Sequence, residues 1–171
     1  MHILHMNRFM LVKMTILGLV MVAAASAFSM NYAIGIQSTA WREVNCISDF
    51  YRLWFITRGG TPERGEIWAV RPQILREGVD PVNPTKYVMA VPGDVVSVTV
   101  DDVYVNGEAL GLPRHIVIDQ EGFDAQNYEG TYHLQDGQYF MLGDTQYTFD
   151  SRFWGPVDQS DLIGHARGII R

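Results

Sequence analysis

The chain has 171 residues, a formal charge of −6 and 47% apolar residues, which suits one packed domain with a small appendage. Arg8 and Lys13 are the basic residues of the first 30 positions, which hold no acid, so the remainder sets 11 basic against 19 acidic residues, a charge of −8. That balance argues against a nucleic-acid partner, which would need a basic face.

Residues 9 to 28, FMLVKMTILGLVMVAAASAF, form an apolar run of about 20 residues, the length that crosses a bilayer. Lys13 lies near one end, where its stem can snorkel to the headgroups. Arg8 and Lys13 place positive charge ahead of the run, which keeps the N-terminus cytoplasmic and sends the residues beyond the run to the periplasmic side of the inner membrane. Ala25-Ser26-Ala27 also fits the cleavage site of a secretory signal. Residues 1–30 are thus a single-pass anchor in contact with membrane lipid, or a removed signal. Both readings export residues 31–171.

Beyond residue 30 the pattern is one of short apolar or alternating runs bounded by Gly, Pro, Asn and Asp. Strands are expected at 32–37, 51–57, 66–71, 87–91, 95–100, 103–105, 138–142 and 166–170. Val105-Asn106-Gly107-Glu108 is a hairpin turn, since Asn-Gly accepts positive φ at both central positions. Residues 72 to 85 hold three prolines and read as a loop, and residues 111 to 135 read as a weakly structured insertion. The fold class is mostly β, built from short antiparallel strands after one N-terminal transmembrane helix.

Two residue counts point towards chemistry. Cys46 is the only cysteine, so no intramolecular disulfide can form. Lys13 and Lys86 are the only lysines against eleven arginines, which leaves Lys86 as the one lysine outside the N-terminal segment. Lysine can lose its proton in a buried site, and arginine does not. His2, His5, His115, His133 and His165 show no metal-ligand spacing, and no metal or other cofactor is expected.

Four motifs occur in order: Arg64-Gly65-Glu66-Ile67-Trp68-Ala69-Val70, Lys86-Tyr87-Val88-Met89-Ala90-Val91-Pro92-Gly93-Asp94, Val103-Tyr104-Val105-Asn106-Gly107, and GDTQYTFDSRFWG from Gly143 to Gly155, continued by Val157 and Ile163-Gly164-His165-Ala166. In this order, after one apolar segment, they resemble the type I signal peptidases, membrane-anchored serine/lysine endopeptidases that remove export signals. The family signatures read approximately RGDIVVF, KRVVGLPGD, VYVNG and GDNxxxSxDSRxWGxV…GKA, and the resemblance covers roughly residues 34 to 170. It implies a signal-peptidase-like catalytic domain over residues 31–171. Its partners would be precursor proteins with signal or leader peptides carrying small residues at −1 and −3. The shortened nucleophile region is similar to the conjugative-transfer branch, whose substrates are pilins and other transfer-system proteins.

The resemblance assigns Lys86 as general base, a role that needs a neutral amine, and burial in an apolar site disfavours the charged form. Asp150 and Arg152 match a structural ion pair, and Gly143 and Asp144 match the turn that precedes it. Ser151 lies in the same Asp-Ser-Arg motif supporting the site. Thr148 best matches a hydroxyl that orients the lysine, although this stretch is one residue shorter than the family's.

The nucleophile departs from the family pattern. No Ser-x-Pro occurs between residues 31 and 60. Cys46-Ile47-Ser48, ahead of the strand at 51–57, is the nearest match and puts Cys46 in place of the serine. A thiol, which titrates near ~8.5 when free, can pass its proton to an amine and attack as thiolate. Ser38 and Ser48 are alternative nucleophiles. Three residues before Cys46 many relatives carry a hydroxyl, and this chain carries Glu43. A non-catalytic homologue that binds export substrates or serves a secretion or conjugation assembly is the competing reading.

Overall fold

A computed structural model describes residues 8–36, 46–48, 51–71, 84–112, 129–144 and 148–171. Ser38, Glu43 and most of the 72–85 and 111–135 segments lie outside the described residues.

Helix α1 (Arg8–Asn31) runs directly into strand β1 (Tyr32–Ile36). Its residues Phe9–Asn31 are long and apolar enough to cross a membrane. Ring contacts carry the helix onto the sheet, with Phe28 tilted against Tyr32 at 5.1 Å and Tyr32 stacked on Phe55 at 5.3 Å between ring centres.

The rest is β-rich. Strands β2 (Leu53–Arg58), β3 (Ile67–Val70), β4 (Thr85–Ala90), β9 (Gln138–Leu142), β10 (Val157–Asp158) and β11 (Leu162–Ile170) join β1 in an antiparallel sheet ordered β1-β2-β11-β3-β4-β9-β10. Strands β5 (Val95–Val98), β6 (Val103–Val105), β7 (Glu108–Ala109) and β8 (Gly130–His133) form a second sheet ordered β7-β6-β5-β8. The expected strands at 103–105 and 138–142 match the observed bounds, and the others shift by one to four residues. The largest shift is in β11, which begins at Leu162 rather than 166. Strand β8 falls inside the segment expected to be weakly structured. Among the described residues it pairs with β5 alone, and its Gly130, Thr131 and His133 are exposed, so no apolar alternation marks it.

β9 is the strand that both cores share. Tyr139 and Met141 pack with Trp68, Val70, Val88 and Val157, whereas Phe140 and Leu142 pack with Ala90, Val96, Val98, Val103 and Leu134. A strand buried on both faces reads as a continuous apolar run, as QYFML does. A register shift between Val88 and Ala90 turns β4 so that Val88 serves one core and Ala90 the other.

One carboxylate joins three of the sequence motifs. Asp94 accepts from Arg64 Nη2 at 2.6 Å, the Val91 amide at 2.7 Å and Asn106 Nδ2 at 2.8 Å. Burial pushes this carboxyl up, but the hydrogen bonds from Val91, Asn106 and Arg64 and the Arg64 charge outweigh it and hold it below its usual value. Asn106 has φ of 52° and Gly107 of 87°, the conformation expected of the β6–β7 turn. The motifs Arg64-Gly65-Glu66, Pro92-Gly93-Asp94 and Val105-Asn106-Gly107 are therefore parts of one structural knot. Its place is where the two sheets meet.

Candidate active site

The site forms where β4 starts and β9 ends. β4 alternates so that Lys86, Val88 and Ala90 are buried, and Lys86 lies opposite Trp68 of β3. Tyr87 pairs with Leu142, so the same antiparallel register carries Lys86 towards Gly143. Lys86 is 0% exposed, and among the described residues its Nζ has no hydrogen-bond partner. Burial strips an amine of its water shell, an arrangement costly to stability and typical of functional groups.

Beside it lies a buried polar network. Asp150 caps helix α2 (Ser151–Trp154) by accepting from the Arg152 amide at 3.1 Å. The same carboxylate accepts from Arg152 Nε at 2.8 Å and Nη2 at 2.7 Å, from the Gly143 amide at 2.9 Å and from the Thr148 hydroxyl. Arg152 and Asp150 side chains are both fully buried. Burial pushes the Asp150 carboxyl up. The Arg152 charge and hydrogen bonds, the Lys86 charge and the Thr148 hydroxyl together outweigh that and hold it below the usual carboxylate range. Ser151 ties the helix to the sheet, its Oγ accepting from the Met141 amide at 3.0 Å and from Trp154 Nε1 at 3.1 Å. Phe149 stacks on Phe153 and meets Trp154 edge-on, which covers the network with aromatic surface.

The Thr148 hydroxyl also accepts from Arg152 Nη2 at 2.9 Å. Both of its described bonds thus run to the ion pair.

The Cys46 backbone meets the Gly143–Asp144 turn. The Asp144 amide donates to the Cys46 carbonyl at 3.1 Å. A Cβ added to Gly143 would collide with that carbonyl oxygen and with the Thr148 side chain, so only glycine fits between them. Cys46 is half-buried and packs against the cluster of Ile47, Trp54, Ile56, Ala69 and Ala166. Gly143 thus connects the Cys46 backbone with Thr148 and Asp150, and through the register with Lys86. A Gly143→Ala variant is expected to lose about 1–3 kcal/mol of stability in urea unfolding, because the overpacking cannot be relieved by a flexible side chain.

Ser48 is placed differently from its neighbour two residues back. Its amide and its hydroxyl both donate to the Asp144 carboxylate, at 2.6 and 2.5 Å. No sequence signal marks this contact, which spans 96 positions.

The model of the family described as signal peptidase, peptidase S26, matches residues 6–170. Signal peptidase I V of Bacillus subtilis (strain 168) is 31% identical over 100 residues, covering 53% of this chain and 60% of that protein. Plasmid transfer protein TraF of Escherichia coli is 34% identical over 87 residues, covering 50% of this chain and 49% of that protein. The chain therefore spans about half to three-fifths of the length of these relatives. A crystal structure of a signal peptidase I from Enterococcus faecalis V583 is similar at 25% identity and a TM-score of 0.40, covering 62% of this chain and 97% of that one.

Proposed function

Because the chain belongs to the peptidase S26 family of signal peptidases, we propose that it is a membrane-anchored endopeptidase that removes leader sequences from exported precursors, with Lys86 as general base and Cys46 as nucleophile. The observation that carries this reading is the buried Lys86 amine, without a hydrogen-bond partner among the described residues, with Gly143 linking its end of the sheet to the Cys46 backbone.

In the first half-reaction Lys86 Nζ takes the thiol proton, and Cys46 Sγ attacks the scissile carbonyl carbon. The Cys46 amide would bond the developing oxyanion. The tetrahedral adduct collapses, the C–N bond breaks, and Lys86 returns the proton to the departing amine. That leaves the leader as a thioester on Cys46. A water then gives its proton to Lys86 and its oxygen to the acyl carbon, and the thiolate leaves and recovers the proton. Thr148, Asp150 and Arg152 hold the β9 end and Gly143 in place and take no proton in these steps.

The apolar helix Phe9–Asn31 supports a single-pass anchor. With Arg8 and Lys13 on its N-terminal side, residues 31–171 would face the periplasm as the catalytic domain. The similarity to a plasmid transfer protein supports pilin or transfer-system precursors as substrates.

The test is cleavage of a co-expressed pilin-like precursor by wild type, Lys86→Ala, Cys46→Ala and Ser38→Ala. Loss with Lys86→Ala and Cys46→Ala, but not with Ser38→Ala, is expected. Loss with Ser38→Ala and retention with Cys46→Ala would move the nucleophile. The absent Ser-x-Pro, together with a Thr148 hydroxyl bonded to the ion pair, favours a second reading as a binding homologue. Capture of the precursor without cleavage by wild type would support it.

A further inference from the structure

The family's nucleophile is followed two positions later by proline, and this chain has Ser48 there. Proline stiffens a chain by fixing φ, and it has no N–H to donate. Ser48 has that N–H and a hydroxyl besides. Both go to one carboxylate, with the amide on Asp144 Oδ1 and the hydroxyl on Oδ2. The Asp144 amide closes the ring by donating to the Cys46 carbonyl. Ile47, between the two, is 4% exposed and fixed in the apolar cluster. Residues 46 to 48 are therefore held at both ends by Asp144 and in the middle by the core.

Resting on the assignment of Cys46 as nucleophile, we infer that Asp144 and Ser48 are positioning residues that do by hydrogen bonding what the proline does by ring closure. They fix the Cys46 backbone, and with it the direction of its thiol and amide, against the Gly143 end of β9. A proline at 48 would remove both donated bonds, so the serine and the acceptor work as a pair. Ser48 and Asp144 are exposed, so the clamp contributes little to the stability of the domain. Its effect falls on the geometry of the site, where a displacement of about 1 Å costs on the order of a hundred-fold in rate.

The experiment compares wild type with Ser48→Ala, Asp144→Asn and the double variant Ser48→Pro/Asp144→Asn. It reads precursor cleavage, the rate of Cys46 alkylation by iodoacetamide, and the thermal midpoint. Ser48→Ala keeps the amide bond and is expected to slow cleavage a few-fold. Asp144→Asn puts an amide donor against one of the Ser48 donors and is expected to slow it by about ten- to hundred-fold. Both should change the alkylation rate, and neither should shift the midpoint by more than about 2 °C. The double variant should recover part of the loss of Asp144→Asn, because proline needs no acceptor. Wild-type cleavage and alkylation in both single variants would overturn the clamp. If Cys46→Ala still cleaves while the single variants alter alkylation, the clamp stands and the nucleophile assignment falls.

Discussion

Replacing Lys86 by methionine is expected to remove most of the cleavage and to make the protein more stable. Methionine has nearly the length of lysine and no charge, so it fills the same slot beside Trp68 and Val88. Cleavage is expected to fall by about 10²–10⁴-fold, the share a general base contributes. Stability is expected to rise by about 1–3 kcal/mol, because the variant removes a buried polar group that makes no hydrogen bond among the described residues. Urea unfolding and the cleavage assay read the two effects separately. A lysine kept for packing alone would show the gain without the loss, so the loss of cleavage separates the two roles. Opposite signs in the two assays are the mark of a residue held in the core for chemistry.

The Asp150–Arg152 pair should behave in the opposite way. Asp150→Ala takes from a fully buried guanidinium the carboxylate it bonds through Nε and Nη2, and Arg152→Ala takes the guanidinium from a carboxylate that retains the Gly143 amide, the residue-152 amide, the Thr148 hydroxyl and the Lys86 charge. Each single change is expected to cost about 3–5 kcal/mol. For a domain of this size that lowers the thermal midpoint by roughly 10 °C. The double replacement should cost less than the sum, since the two changes remove the same bonds. The pair also sets an acid limit. The folded Asp150 carboxyl lies below its unfolded value of ~3.9, so its contribution is complete above that pH. It is lost as pH falls through the lower folded value. Urea midpoints should therefore hold steady from neutral pH down to about 5 and drop below about 4, with Asp150→Asn flattening that limb.

The motif residues were the most legible part of the site, because their chemistry depends on residue type. Lys86 stood out as the one lysine beyond the leader, and the Asn106-Gly107 turn was marked by its demand for positive φ. Strand β9 was legible because burial on both faces leaves a continuous apolar run. Elsewhere tertiary contacts override the local signal. β4 extends back to Thr85 because Lys86 is buried, and a periodicity reading treats lysine as a surface residue. β11 starts early because Gly164, a residue poor in strands, is needed where a Cβ would collide with the Thr57 carbonyl. The Ser48–Asp144 bonds join residues 96 positions apart, and short-range pattern carries no trace of them.

The central claim is that Lys86 accepts the proton of Cys46. The most direct measurement is the rate at which iodoacetamide alkylates Cys46 at pH 7 in folded wild type and folded Lys86→Met. With a single cysteine in the chain, intact mass reads the reaction without ambiguity. If the amine activates the thiol, alkylation slows by about an order of magnitude or more in the methionine variant, because only thiolate reacts. Equal rates in the two proteins would contradict the dyad.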